Sequence, residues 1–553
     1  MTVNSLLKKL QTRPDAVETL NLLRELAAAA HSPKSIEVFH DQLLFYKAYP
    51  QSEAIRKFCD RELGRFHERI EEMGLSEDLA QTGIAGTEYS YAFDYSNARV
   101  LSDLLGKDIE LDWEDYESRE DPLVDILWLL LEDCEADAAD SEDLTVREIL
   151  ERAAGNRTVI SLLLECFERT FEPRAAAQIY NDANLTLRFK LVGKAPSRST
   201  VADKKPAALF LWDPREDRSK FKFAEEILRP LTLPAPSPHK RAQDLLNIVH
   251  GTLLIRSREY YGATHGNPDD FYEIPLDRGA TLLFWFAKPE WRLPQETGLG
   301  FVLLKNGVPI SYGGGGAHPA RLEIAVNLFD TFRGGEAAWV YAQLIRAARA
   351  FYHAPWCVAR KYQVGHENEE GLASGSYWFY YKLGFRSTDA KIRRLAESER
   401  KKILKQKGYR SPKSVLKQLA EADVVLPLEG QDPADYHEFP LDRVSLLATD
   451  VLTRIAPRDR KIDSRILKAV EALLGFPIPQ MSANERHSVA QQGLFLLAHG
   501  KCRTWPDDLK HTWLRMARGK GSAHEANYLS EVMTLKDYFG ELAELSLKHS
   551  DLA

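Results

Sequence analysis

Cysteine is scarce in this chain: five in 553 residues (Cys59, Cys134, Cys166, Cys357 and Cys502), odd in number and far apart. That usage excludes a disulfide framework and leads us to expect free thiols in a reducing, cytoplasmic compartment. Long hydrophobic runs are missing too. The longest, such as Ile126–Leu131 and Thr281–Ala287, fall far short of the ~18–20 apolar residues that span a bilayer, so no membrane partner is expected. The opening MTVNSLLKKLQTRPD contains no apolar stretch of the kind a secretory signal carries. Nor does either charge dominate. Lys and Arg number 73 against 81 Asp and Glu, a formal net charge of −8, which does not describe a protein that coats nucleic acid.

Several familiar site motifs are absent as well. No glycine-rich loop ends in Gly-Lys-Ser/Thr, and there is no His-Glu-x-x-His, Cys-x-x-Cys or Gly-x-Ser-x-Gly. A P-loop, a zinc-protease helix and a hydrolase elbow are thereby excluded. His499 and Cys502 stand three apart, but two ligands without partners do not make a zinc site, and no metal is expected. The run Gly313–Gly316 is not followed by lysine; it reads as a bulge or a close backbone approach. Cys357 falls in an apolar strand-like stretch and reads as a small core residue. No repeat of solenoid length or low-complexity tract occurs.

What is present is an ordinary globular composition, 44% hydrophobic and 28% charged, long enough for three or four domains of roughly 100–200 residues. Residues 1–192 read as a mainly helical domain, with Leu20, Leu22, Leu23 and Leu26 at helical spacing, and likewise Ile55, Phe58, Leu63 and Phe66. Inside it, Tyr89, Tyr91, Phe93 and Tyr95 break the pattern and are assigned to packing. The acidic stretch 112–143 surrounds ILWLLL, read as a buried helix with solvated flanks. Residues 193–239 form a connector, with four prolines between Arg229 and Pro238 that exclude a helix interior.

Residues 240–392 have the most strand character. A helix is expected over 240–261, then strands at Thr281–Ala287, Gly300–Lys305, Val308–Tyr312 and Leu322–Phe329. Asn306-Gly307 supplies a two-residue hairpin turn. Gly335–Phe351 switches to helical periodicity, Trp356–Tyr362 returns to strand, Leu372–Leu383 to helix, and Gly384-Phe385-Arg386 starts another strand. Residues 391–417 hold eleven Lys and Arg against two Glu, read as a solvated amphipathic helix or hinge that docks the acidic stretch of this or another chain. With Tyr409 as the sole aromatic there, base stacking is poorly provided for. Residues 393–553 read as a helical C-terminal domain.

Two segments, NLFDTFRGGEAAWVYAQLIRAAR (Asn327–Arg349) and YYKLGFR (Tyr380–Arg386), with the order of elements around them, resemble the GNAT superfamily of acyl-CoA-dependent N-acyltransferases. The resemblance covers about 240–390. It implies a fold of mixed α+β class, a GNAT-like central sheet flanked by mainly helical N- and C-terminal domains. It also implies an acyl-CoA donor, acetyl-CoA foremost, held where a strand runs through a loop into a helix. Leu328, Phe329, Arg333, Gly334, Gly335, Glu336, Ala337 and Ala338 occupy the corresponding positions. The residues agree with this, since free backbone N–H groups at a helix start attract phosphate and adjacent glycines let backbone approach it. The family loop reads Arg/Gln-x-x-Gly-x-Gly/Ala. Counted from Arg333, Glu336 stands where glycine is usual and Ala338 fits; a shift of one residue gives Gly335 that role instead. A carboxylate at Glu336 would compete for the phosphate donors. Ala373 and Ser376 replace the asparagine and alanine that usually precede the late tyrosine. By position Glu323 resembles the family's base and Tyr380 its acid. The acceptor implied is an amine of unstated identity. Two rival readings stand beside it: the same fold with aminoacyl-tRNA or a carrier-protein thioester as donor, and a catalytically silent module in a helical interaction protein.

Overall fold

The structure, a computed structural model, describes residues 1–139, 143–202, 208–213, 221–258, 261–333, 336–456, 458 and 463–550. It is of mixed α+β class, a mixed sheet with helices before, across and after it. Five helices, from Val3–Gln11 to Phe66–Glu72, open the chain. Their starts are fixed locally: Asp15 accepts from the Val17 and Glu18 amides, and Ser32 forms a capping box with Ser35. Leu22, Leu23, Leu26, Ile55 and Phe66 are buried, and this core is continuous with that of the large sheet.

A smaller sheet follows, with β1 (Glu88–Ala92) and β2 (Ile109–Leu111) both antiparallel to β3 (Thr186–Lys190). Around it lies a second core, from Tyr89 to Leu191. Tyr89 is buried there, donating to the Leu254 carbonyl at 3.1 Å. The ILWLLL island shrinks to the single turn Leu127–Leu130, with Leu127 and Leu130 inside and Trp128 exposed.

The large sheet holds β4 (Gly266–Pro275), β5 (Ala280–Ala287), β6 (Thr297–Lys305), β7 (Val308–His318), β8 (Arg321–Leu328), β9 (Trp356–Ala359), β10 (Arg386–Ser387) and β11 (Val424–Pro427). Their order is β10-β11-β9-β8-β7-β6-β5-β4. All neighbours are antiparallel except β8 and β9, which the helix Ala337–Phe351 joins as a parallel crossover. The Asn306-Gly307 turn forms as expected, both residues at positive φ (48° and 79°). Gly313–Gly316 lie within β7, paired on both sides. A Cβ at Gly315 would sit 1.7 Å from the Glu323 carbonyl oxygen, so this is a close backbone approach, while the ladder's irregularity falls at Leu303/Leu304.

Several elements differ from the sequence expectation, among them β2, β3 and the helix Phe223–Leu228 within the expected connector. β4 was not foreseen; it carries Pro268 and two aspartates at the sheet's edge, where its register shifts between Gly266 and Phe271 and proline is tolerated. The expected helix over 372–383 is two, Glu369–Ser374 and Ser376–Lys382, parted by Gly375 in the left-handed region. β11 lies beyond the boundary drawn at 392 and pairs with both β9 and β10, so the stretch after 393 is not purely helical. The basic stretch forms the helices Ala390–Lys405 and Lys413–Leu419. Among the described residues, six α-helices from Leu441–Ile455 to Lys536–Ser550 follow. They are clamped to the sheet by a buried charge network. Arg292 pairs with Glu525 (2.7 Å) and Asp270 (3.6 Å), Lys520 pairs with Glu525 (2.5 Å), and the Glu525 amide donates to Asp270 (2.6 Å).

Candidate active site

β8 and β9 pair at only two positions, Leu322 with Cys357 and Glu323 with Val358. Ile324 to Leu328 then run on with no strand on that side among the described residues. Leu322 and Ile324 are buried, while Glu323 and Ala325, on the alternate face, are half-buried and Asn327 is exposed. A strand carbonyl without a ladder partner needs another donor. Tyr341, from the helix Ala337–Phe351, supplies it, its hydroxyl donating to the Ile324 carbonyl at 3.2 Å. Cys357 is fully buried beside it, and burial pushes its thiol up to about 12, as befits a core residue.

Tyr380 comes from the short helix Ser376–Lys382. Its ring meets Tyr341 edge-on (centroids 5.6 Å apart) and packs on Phe385. Its hydroxyl donates to Gln363 Oε1 at 3.2 Å, and burial raises the phenol above its ordinary range. Tyr381, turned by ~100° on the helix, lies instead under the Arg386 guanidinium, 3.9 Å from its ring centre. Of the consecutive aromatics, Tyr380 therefore faces the parting of β8 and β9. Glu323 pairs with Arg360 Nε at 2.7 Å. Tyr380 thus lies against Tyr341, while Glu323, on the alternate face of β8, is held by Arg360.

The loop after β8 is held from several sides. Leu328 is half-buried; Phe329 is buried, stacked on Tyr312 (5.4 Å) and covered by the Arg256 guanidinium 4.3 Å from its ring centre. Thr331 Oγ1 donates to Asp41 Oδ1 at 3.0 Å, and Arg198 reaches the same oxygen at 2.6 Å. Arg333 is exposed and pairs with Asp330 (2.9 Å) and with Glu370. Gly334 and Gly335 lie outside the described residues. Glu336 is the N-cap of the helix Ala337–Phe351 without any side-chain cap bond. Its carboxylate turns instead to Lys305 (2.9 Å) and Arg278 (2.7 Å), its side chain only 7% exposed. Burial acts to raise this carboxyl, but Lys305 and Arg278 outweigh it and hold it below its usual range. The Glu336 carboxylate thus makes no bond to the helix-start amides. Ala337 and Ala338 are half-buried and put little bulk there.

Glu323 also borders a cleft of about 300 Å³ on its own face of the sheet, walled by Trp291, Leu293 and Glu296. Its carboxylate belongs to a network the sequence reading missed. Arg360 bonds Glu323, Asp423 (2.9 Å) and Glu438 (2.9 Å), and Arg321 bonds Glu438 (2.8 Å) and Glu296 (2.9 Å). Asp423 and Glu438 flank β11, far along the chain, so spacing carried no signal for them. Lys305 was readable as a charge ending an apolar strand just before Asn306-Gly307. Compared with protein-family models, curated proteins and solved structures, the chain matches none of them. Among the described residues no group of three or more His, Cys, Asp or Glu is arranged to hold a metal ion, and no helix is long and apolar enough to cross a membrane.

Proposed function

We propose that this chain is a GNAT-type N-acyltransferase, taking its acyl group from an acyl-CoA, acetyl-CoA foremost, and passing it to an amine. The observation that carries the reading is the brief parallel contact of β8 and β9, which part just beyond Glu323 and Val358. Ligands of parallel α/β units sit beyond the carboxyl ends of their strands, and here that end leads through Phe329–Arg333 to an uncapped helix start suited to phosphate. In this reading Glu323 takes a proton from the acceptor ammonium. The neutral amine nitrogen attacks the thioester carbonyl, the C–S bond breaks as the C–N bond completes, and Tyr380 protonates the departing thiolate. The second nitrogen proton passes through solvent to restore the phenol, and Glu323 gives up its proton to solvent, so one proton is released per turnover.

One observation favours a catalytically silent module instead. The Tyr341 hydroxyl already satisfies the Ile324 carbonyl in the gap between the strands, where a donor's chain would lie. Titration with acetyl-CoA separates the two. A ligand that binds only the folded state raises its melting temperature, and Gly335→Val should abolish that rise. No rise in the unaltered chain, or the same rise in Gly335→Val, removes the donor site.

A further inference from the structure

We infer that the cleft beside Glu323 receives a cationic amine bearing an apolar group of about one ring. The inference rests on the acyltransferase reading for its chemistry but on the cleft alone for its binding. Across the sheet, Gly298 of β6 pairs with Gly316 of β7, and Gly316 pairs with Glu323 of β8. Directly paired residues project to the same face, so this row is a trough, two positions without side chains and then a carboxylate. The space above it is open: a Cβ on Gly298 would meet nothing within 4 Å, and one on Gly316 would have Glu296 Oε1 at 3.8 Å. Glu296 thus hangs over the middle of the floor, at Gly316, and Glu323 closes one end of the row, so both carboxylates border the trough. Trp291 and Leu293 give the cleft an apolar wall.

Charge settles which end of a ligand goes where. Among the described residues Glu296, Glu323, Asp423 and Glu438 form ion pairs with Arg321 and Arg360 alone, four carboxylates against two guanidiniums; the Lys520 ammonium also acts on Glu296 but is paired with Glu525. Arg292, which also lines the cleft, is spent on Asp270 and Glu525, its side chain 2% exposed. An ammonium therefore seats at Glu296 and Glu323 with its apolar part along the glycine floor against Trp291. A volume of about 300 Å³ admits a small ligand of this kind.

The test titrates the full chain, without any acyl donor, with 2-phenylethylamine, 2-phenylethanol and 3-phenylpropionate, by calorimetry and by melting temperature. The amine should bind, the alcohol at least about tenfold more weakly, and the carboxylate not at all. Gly298→Leu, allowed in an extended strand, fills the trough and should weaken amine binding at least about tenfold. Glu323→Gln should shrink the preference for amine over alcohol to within about threefold. Equal binding of amine and alcohol, no binding of either, or unchanged amine affinity in both variants overturns the inference. A parallel acetyl-CoA titration keeps the two readings apart. Amine binding without acetyl-CoA binding removes the donor site alone; acetyl-CoA binding without amine binding removes this site alone.

Discussion

Glu336 stands just ahead of the helix Ala337–Phe351, yet its carboxylate serves the sheet, neutralising Lys305, whose side chain is wholly buried. Removing one member of a buried pair strands the other, at a cost of ~3–5 kcal/mol. Glu336→Ala is therefore expected to lower unfolding free energy by about that amount in urea titrations. Tyr380 poses the opposite case, a small change with a chemical effect. Tyr380→Phe should slow acyl transfer by ~10²–10⁴-fold while costing only ~1 kcal/mol for the lost bond to Gln363, and Tyr381→Phe should do neither. Turnover assays on the two variants decide between them. Glu438 gives a pH prediction. Burial would raise its carboxyl, but bonding from Arg360 and Arg321 outweighs this and brings it to about 2. A folded-state value below the unfolded one stabilises at pH above ~4.3, and that contribution fades as pH falls towards 2. Melting curves of Glu438→Gln should lie below those of the native chain at pH 6 and converge with them near pH 2.

Among the elements, the β6–β7 hairpin was the plainest in the sequence, and its turn holds more than itself. Asn306 takes positive φ, and its amide group donates to the Ala48 and Phe210 carbonyls and accepts from the Phe210 amide. Asn306→Ala forfeits those bonds and strains φ, so a loss of ~2–4 kcal/mol is expected by thermal or urea unfolding. The hairpin, β8, the crossover helix and β9 could all be read because their hydrophobic period is clean and their turns are marked. β4 could not, since its proline and aspartates argue against a strand and are tolerated only at an edge. β11 could not either: four residues, Val424–Pro427, carry too little pattern to distinguish a strand from a loop. The candidate site divides in the same way. Glu323 and Tyr380 lie on clearly patterned elements, and Arg333 and Glu336 stand in the loop between two of them. Tyr341 was visible only as one apolar position of a helix, and the partners of Arg360 come from segments whose nearness exists only in the folded chain.

For the molecule as a whole, the buried network of Arg292, Asp270, Lys520 and Glu525 joins the closing helices to β4 and to the segment before β6. Burial acts to raise the Asp270 carboxyl and to lower the Lys520 ammonium, so neither charge is comfortable without its partners. Glu525→Ala leaves Arg292 and Lys520 facing each other and should cost ~3–5 kcal/mol. Because the opening helices, the large sheet and the closing helices share one continuous core, the transition of that core should be displaced as a whole in calorimetry. A separate early melting of the C-terminal helices would contradict this.

The insertion of β11 between β9 and β10 also sets a timetable for synthesis. When β9 leaves the ribosome, its outer edge has no neighbour, and the 64 residues between Ala359 and Val424 must be made before one exists. At roughly 5–20 residues per second, that edge stays open for roughly 3–13 s. β10 emerges in the interval, but its seat is one place further out, and pairing it directly with β9 would exclude β11. Its two-residue length makes such a premature pairing weak and reversible, so the late strand still finds its place.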